Sequence, residues 1–409
     1  MAKIHKKAEV EESCYDLAVR RMAQTFQNFD KVVVSFSGGK DSTACLHLAL
    51  EEARRSNRLP LDVVFFDEEC IPPETVEYVE RVAANPDIRL LWFCLPLKLG
   101  NACSKESPDW YIWNEADREK WVRPLPERAV RTWPTFRRGM GLADFGPTVF
   151  GPEHGRVAWV LGIRTQESMT RYQSIATKIG FQCFIIPSTM NGQYANVIGL
   201  RKRSSGTVPC KWSCKVYPIY DLTTEDVWKA PEILGWDYNK AYDVMRACGL
   251  PPLVARCSPT FGDQTNRRLW SYKVCWPKLW AKMVDRVPGA ATAARYANTE
   301  LYGIGVKDSD QLEGKSWRQM TMDRLANLSG NAKIDVGKAI KGALQEHKNI
   351  YGKEGLKPTP FPDAEQDPIS GYSWKLLHRI AAIGGDKFGR QSQFARKQSN
   401  NVRKLRRQN

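Results

Sequence analysis

The stretch Ser35-Phe-Ser-Gly-Gly-Lys-Asp-Ser-Thr43 constrains this 409-residue chain more than any other, because it joins an apolar run, Lys31 to Phe36, to a helix-like segment, Thr43 to Arg55. Gly38 and Gly39 let the backbone turn tightly and approach a ligand closely, so successive N–H groups can point inward. The helix opening near Asp41 adds the positive end of its dipole, Ser37, Ser42 and Thr43 add hydroxyls, and Lys40 adds a mobile positive charge. The stretch reads as a phosphate cradle at a strand-to-helix turn. It is not a Walker A loop, which places four residues between its first glycine and Gly-Lys-Ser/Thr, nor a G-x-G-x-x-G dinucleotide turn.

The flanks fit that reading. Leu61 to Phe66 is a second strand-like run, Thr75 to Ala84 is helical, and Ile88 to Leu95 is a third strand; Arg156 to Ile163 follows a long insertion. Short, fully apolar strands separated by helices predict an α/β domain with a parallel sheet covered by helices on both faces, closing near Tyr217-Pro-Ile-Tyr220. The expected organisation is an N-terminal helix over 1–30 and a nucleotide-binding domain over 31–230 with an insertion at 101–152. A mainly helical C-terminal domain over 231–352 follows, clearest at Trp270 to Val287 and Ser316 to Leu328. Residues 353–409 read as a linker, a short helix (Ile369 to Ile383) and a basic tail.

With 42% hydrophobic and 26% charged residues the chain can bury a core. No stretch reaches the apolar length that crosses a bilayer and the N-terminus is polar, so the expected setting is cytoplasmic, with no membrane partner. A net charge of +16 favours polyanionic partners. Eight Lys or Arg and no acid follow from Lys387 onward, a tail that either solubilises or binds nucleic acid. In the insertion, Trp110, Trp113, Trp121 and Trp133 interleave with Arg123, Arg131, Arg137 and Arg138. They form either a surface that stacks bases and clamps phosphates or a tryptophan mini-core with arginine stems packed on it. The eleven cysteines read as reduced thiols, metal ligands or core residues rather than a disulfide framework. Cys210-Lys-Trp-Ser-Cys214 is the close pair that zinc or an iron–sulfur cluster would use, with buried thiols as the alternative, and Cys248, Cys257 and Cys275 follow at wide spacing.

The loop matches the Ser-Gly-Gly-x-Asp-Ser pyrophosphate loop of the N-type ATP pyrophosphatases. Together with Gly162-Ile-Arg-Thr-Gln-Glu-Ser168 and Tyr217-Pro-Ile-Tyr-Asp-Leu-Thr-Thr-Glu-Asp-Val-Trp228, it resembles the phosphoadenylylsulfate reductase family from about Lys31 to Trp228. Tyr238-Asn-Lys-Ala-Tyr-Asp243, Phe261-Gly-Asp263, Trp276-Pro-Lys-Leu-Trp280 and Arg286-Val-Pro-Gly-Ala290 are similar to a subgroup with an added C-terminal domain, which includes the immunoglobulin-binding regulator A proteins. The resemblance implies an adenine nucleotide alpha hydrolase-like fold. The chain departs from the reductases in lacking their Glu-Cys-Gly-(Leu/Ile)-His segment: Ala247-Cys-Gly-Leu-Pro251 has neither the Glu nor the His, and Gly249 reads as a helix C-cap.

The intact Gly-Gly-Lys-Asp-Ser instead resembles relatives that split ATP between its α and β phosphates. In that reading Lys40, Asp41 and Arg164 are catalytic: Lys40 and the loop amides stabilise departing pyrophosphate, Asp41 helps hold Mg²⁺, and Arg164 meets the α-phosphate or the acceptor. Ser35, Ser37, Gly38, Gly39, Ser42, Thr43 and Gly162 would complete the ATP site. Glu167 would position Arg164 or a substrate amine, unless it serves as a cap. Asp67, Glu68 and Glu69 end the second strand where open α/β sheets bind ligands; Asp67 would contact the ribose or the metal, the alternative being an acidic start to the next helix. Cys70 and His47 read as packing residues, and His154 has no evident partner. The expected activity is adenylation of an acceptor in sulfur transfer or nucleic-acid modification. The alternatives are sulfonucleotide reduction and a nucleotide-binding regulator that works through a protein partner without turnover.

Overall fold

The computed structural model describes residues 11–104, 106–167, 171–172, 175, 184–199, 206–250, 255–258, 260–261, 269–296, 314–353, 355, 357–365, 367 and 369–382. The basic tail beyond Lys387 and residues 1–10 of the expected N-terminal helix lie outside them. In chain order, α1 (Cys14–Asn28) precedes β1 (Lys31–Phe36), α2 (Lys40–Arg55), β2 (Leu61–Phe66), α3 (Pro73–Ala83) and β3 (Ile88–Phe93). The insertion carries β4 (Lys98–Gly100), β5 (Asp109–Tyr111), β6 (Ala129–Val130) and α4 (Leu142–Val149). Then come β7 (Val157–Val160), β8 (Ile185–Asn191), β9 (Thr207–Val216), α5 (Thr224–Leu234), α6 (Ala241–Ala247), α7 (Leu269–Cys275), α8 (Pro277–Arg286) and α9 (Ala290–Tyr296).

Val32, Val33 and Val34 make β1 apolar on both faces, which suits the centre of a covered sheet. The observed order is β6-β3-β2-β1-β7-β9-β8. Every neighbouring pair is parallel except β8 with β9, an antiparallel edge on the expected parallel sheet. Alternation along the strands feeds both faces. Phe36 and Phe65, paired across β1 and β2, point to the side where Tyr78 of α3 packs edge-on to Phe36 at 5.5 Å. Phe66 and Phe93 point the other way, onto Phe145 of α4.

The chain leaves β1 toward β2 on one side and returns to β7 on the other, so β1 and β7 flank a topological switch point. Loops at the carboxyl ends of two such strands diverge and leave a crevice, the usual ligand position in open α/β sheets. The continuous helix expected over Trp270 to Val287 is two helices, α7 and α8, because Pro277 lacks the N–H a helix interior needs and starts the second one instead. Gly249 has φ +82° just past α6, as its reading as a cap requires.

Contacts divide the chain near residue 295 into two compact units. The second contains α10 (Trp317–Asn327), α11 (Gly330–Lys353) and α12 (Trp374–Ala382) around Trp317, Val336, Ile340 and Leu377. Ser316 and Gln319 form a reciprocal capping box at the start of α10. Among the described residues no helix is long and apolar enough to cross a membrane.

Phe36 is 2% exposed at the end of β1, directly before the cradle. Phe36→Ala is expected to lower stability by about 3–5 kcal/mol through lost burial and a residual cavity, read from the urea midpoint.

Candidate functional site

Gly38 turns the chain out of β1 with φ +69°, and a Cβ there would stand 2.8 Å from the Thr75 Cγ2 methyl. Ser42 then closes the loop on itself: its Oγ accepts from the Ser37 N–H (3.2 Å) and donates to the Gly39 carbonyl (2.9 Å). Support also comes from far along the chain. Asn239 Nδ2 donates to the Gly38 carbonyl and to Thr75 Oγ1, both at 2.8 Å, and the Lys40 N–H donates to the Tyr242 hydroxyl at 2.9 Å. On the β7 side, a Cβ on Gly162 would lie 2.5 Å from the Asp41 carbonyl carbon and 2.7 Å from Ser42 N, so the two backbones touch where only glycine fits.

Asp41 is the electrostatic hinge between these loops. Its Oδ2 pairs with Lys40 Nζ at 2.9 Å and its Oδ1 with Arg164 Nε at 2.6 Å. Arg164 is buried and also donates to the Leu222 carbonyl, Thr224 Oγ1 and Gln166 Oε1. Burial pulls the Lys40 ammonium below the ordinary lysine range, against the opposing pull of Asp41. Each Asp41 oxygen thus meets a protein cation, with lone pairs remaining on both, and the Mg²⁺ role read for it in the sequence stays an expectation. Arg164 meets only protein acceptors in the structure and holds Asp41.

A cavity of about 300 Å³ opens beside the loop, lined among others by Ser35, Ser37, Gly39, Lys40, Asp41, Ser42, Gly162 and Glu167. Gly38, Thr43, Asp67 and Arg164, expected in the same site, do not line it. The far wall brings residues that were not expected: Arg171, Tyr242, Arg256, Cys257 and Ser258. Glu167 joins the walls. It accepts from the Arg164 N–H (3.2 Å) and pairs with Arg171 and, at 3.6 Å, with Arg256. Arg171 was legible in principle, four residues after Glu167 in ion-pair spacing. Tyr242 stands in the segment Tyr238–Asp243 that carries the resemblance but was given no role in the site, and no local pattern announces Arg256.

The model of the phosphoadenosine phosphosulfate reductase domain matches residues 31–245, which hold the cradle, Arg164 and Tyr242. The chain belongs to that family. A second match, to a domain of unknown function (DUF3440), covers residues 249–349, as the resemblance to a subgroup with an added C-terminal domain implied. An Escherichia coli (strain K12) protein described as "Uncharacterized protein YbdN" is 27% identical over 401 residues, 95% of this chain and 92% of that one. Among solved structures, Candida glabrata FMN adenylyltransferase aligns at 12% identity and a TM-score of 0.31, over 58% of this chain and 62% of that one. The phosphoadenylyl-sulfate reductase from Candida auris, in a phosphate complex, aligns at 14% identity and 0.28, over 58% and 93%. The chain thus spans less than two thirds of the adenylyltransferase.

In this reductase-family domain the acidic triplet after β2 turns inward. Asp67 is fully buried and accepts from Trp92 Nε1 (2.7 Å), the Glu69 N–H (2.9 Å) and Arg123, away from the cavity lining. Glu69 is held by Arg286 (2.7 Å) and the Trp113 N–H (2.7 Å). Glu68 interacts with Ser258 and the Thr260 backbone, while its Oε2 accepts no hydrogen bond; burial, then the neighbouring Asp67 charge, raise its carboxyl to about 7.

The tryptophans of the insertion pack inward as well. Trp110 and Trp113 are buried, and Arg286 and Arg123 lie over their rings at 5.1 and 4.8 Å. Arg118 and Arg131 cover Trp121, and Trp133 meets Phe93 edge-on. These contacts form the mini-core arrangement. Cys210 and Cys214 lie on β9 opposite Ser188 and Pro187. Burial raises both thiols, Cys210 to about 11. Among the described residues no cluster of three His, Cys, Asp or Glu is placed to hold a metal. His47 stacks on Trp236 at 4.8 Å, as a packing residue, and His154 meets Phe150 edge-on. Cys70 is buried.

Two outcomes follow from this geometry. Gly162→Ala forces the Asp41 and Ser42 backbone aside; a stability loss of about 1–3 kcal/mol is expected, together with loss of ligand binding at the cradle, measured by thermal unfolding and calorimetry. Glu68 keeps its proton in the fold up to about pH 7 but unfolded only to its ordinary 4.5, so its folded value is raised and its charging destabilises the protein as pH rises through that window. Glu68→Gln is therefore expected to be more stable than the parent above pH 7, by up to about 3 kcal/mol, with the gap closing as pH falls toward 4.5.

Proposed function

We propose that the chain is an ATP-dependent enzyme of the pyrophosphate-loop type: the cavity takes the phosphate chain of ATP, the bond between the α and β phosphates breaks, and the adenylyl group passes to an acceptor. The observation that carries this reading is the pairing of an intact Ser-Gly-Gly-Lys-Asp-Ser cradle with a facing wall of Arg171 and Arg256 across one cavity at the sheet's switch point. Departing pyrophosphate gathers negative charge, and Lys40 with the loop amides stands where that charge develops. A bound phosphate also restores the lysine's preference for its protonated form. Glu167 holds the two arginines, and Arg164 fixes Asp41, so the cations are pre-arranged rather than recruited. The acceptor class we favour is an anion or nucleic acid drawn by the chain's positive charge. A nucleic-acid acceptor would bind with affinity that falls steeply with salt.

A second reading has one specific observation in its favour. Cys257 lines the same cavity, as a thiol for sulfonucleotide chemistry would. Burial raises it to about 11, which keeps it protonated at neutral pH and weighs toward adenylation.

Calorimetric titration of ATP with Mg²⁺ and of adenosine 3′,5′-bisphosphate into the wild type, Lys40→Ala and Cys257→Ser separates the readings. Adenylation predicts preference for ATP, at least about tenfold weaker binding in Lys40→Ala, and pyrophosphate release that Cys257→Ser leaves intact. Preference for the bisphosphate, with turnover lost in Cys257→Ser, would replace it with sulfonucleotide reduction.

A further inference from the structure

Lys40 is the first residue of α2, and its N–H is one of the open donors with which a helix N-terminus meets an anion. In the structure that donor is taken by the Tyr242 hydroxyl oxygen at 2.9 Å, and Tyr242 itself lines the cavity. The ring is buried and stands perpendicular to Trp228, with centroids 4.7 Å apart. Asn239 fixes the start of α6: its Oδ1 accepts from the Ala241 N–H at 2.9 Å while its Nδ2 holds the Gly38 carbonyl. A ring held this way cannot leave the loop without dismantling both contacts.

A phenol oxygen that accepts a hydrogen bond still has its own hydrogen to give, and accepting from an amide polarises that O–H further. The near acceptor is the sulfur of Cys257, a weak one. Burial, then the Cys257 interaction, push the phenol well above its ordinary range, so it keeps the proton it would donate.

We propose that Tyr242 is a ligand-contacting residue of the phosphate site, donating its O–H to an oxygen of the bound phosphate chain while its oxygen stays on the Lys40 N–H. A charged phosphate oxygen outcompetes a thiol for that hydrogen. The phenol thus carries the helix terminus one group further into the cavity, toward the arginine wall. This inference rests on the cradle's being a phosphate site, and its test is arranged to separate the two.

Tyr242→Phe keeps the ring packing and removes only the hydroxyl. Inorganic pyrophosphate and ATP are titrated by calorimetry into the wild type, Lys40→Ala and Tyr242→Phe, with circular dichroism confirming the fold. Affinity for both ligands is expected to fall about tenfold in Tyr242→Phe, the worth of one hydrogen bond to a charged group. Unchanged affinity would reduce Tyr242 to a brace, and tighter binding would make its hydroxyl a competitor for the Lys40 N–H; either overturns the proposal. If Lys40→Ala weakens binding and Tyr242→Phe does not, only the tyrosine's role falls. If the wild type binds neither ligand, the cradle reading falls and takes this one with it.

Discussion

The contact of Gly162 with the Asp41 and Ser42 backbone is the constraint from which the site follows. Two loops that leave neighbouring strands of a parallel sheet normally diverge. Here they are brought to backbone contact at one glycine, and that closeness lets Arg164 reach Asp41 at 2.6 Å. Once Asp41 is held from the β7 side, it holds Lys40 from the β1 side. The cation nearest the loop is thus positioned by a carboxylate, and the carboxylate by a second, fully enclosed cation. Removing the middle member would leave two buried positive charges facing each other, a costly state.

Much of the first unit was legible in the sequence because its signals are local. Val32 to Val34, Leu61 to Phe66 and Ile88 to Phe93 are short apolar runs bounded by turn residues, and such runs need a sheet covered on both faces. The cradle was legible for the same reason: glycines, hydroxyls and a lysine lie within nine residues of one another. The roles of single charged residues were less so. Asp67 and Arg164 stand at strand ends where ligands usually bind, yet each found a protein partner first. Asp67 met Trp92 and Arg123, and Arg164 met Asp41 and the Leu222 carbonyl. A sequence shows that a charge is present at a strand end; which opposite charge reaches it depends on segments distant in the chain and adjacent in space, as Arg123 is to Asp67 and Arg164 to Asp41.

The far wall of the cavity shows this at its strongest. Asn239 and Tyr242 support a loop about two hundred residues upstream, and Arg256 meets Glu167 from a segment with no phosphate motif of its own. Their side chains are of ordinary types in an ordinary short helix and its sequel. Only the return of the chain over the carboxyl end of the sheet makes them neighbours of the cradle. The same return explains the tryptophans of the insertion, whose indole faces are satisfied by arginines from within the unit, Arg286 of α8 among them.

The cavity also crosses the boundary between the two matched segments. Its floor and near wall come from the segment that matches the reductase family, up to residue 245, while Arg256, Cys257 and Ser258 come from the segment that matches the second family, from residue 249. The two matches meet within a single pocket, whose far side is shared between Arg171 and Tyr242 of the first segment and Arg256, Cys257 and Ser258 of the second, so neither segment alone encloses it.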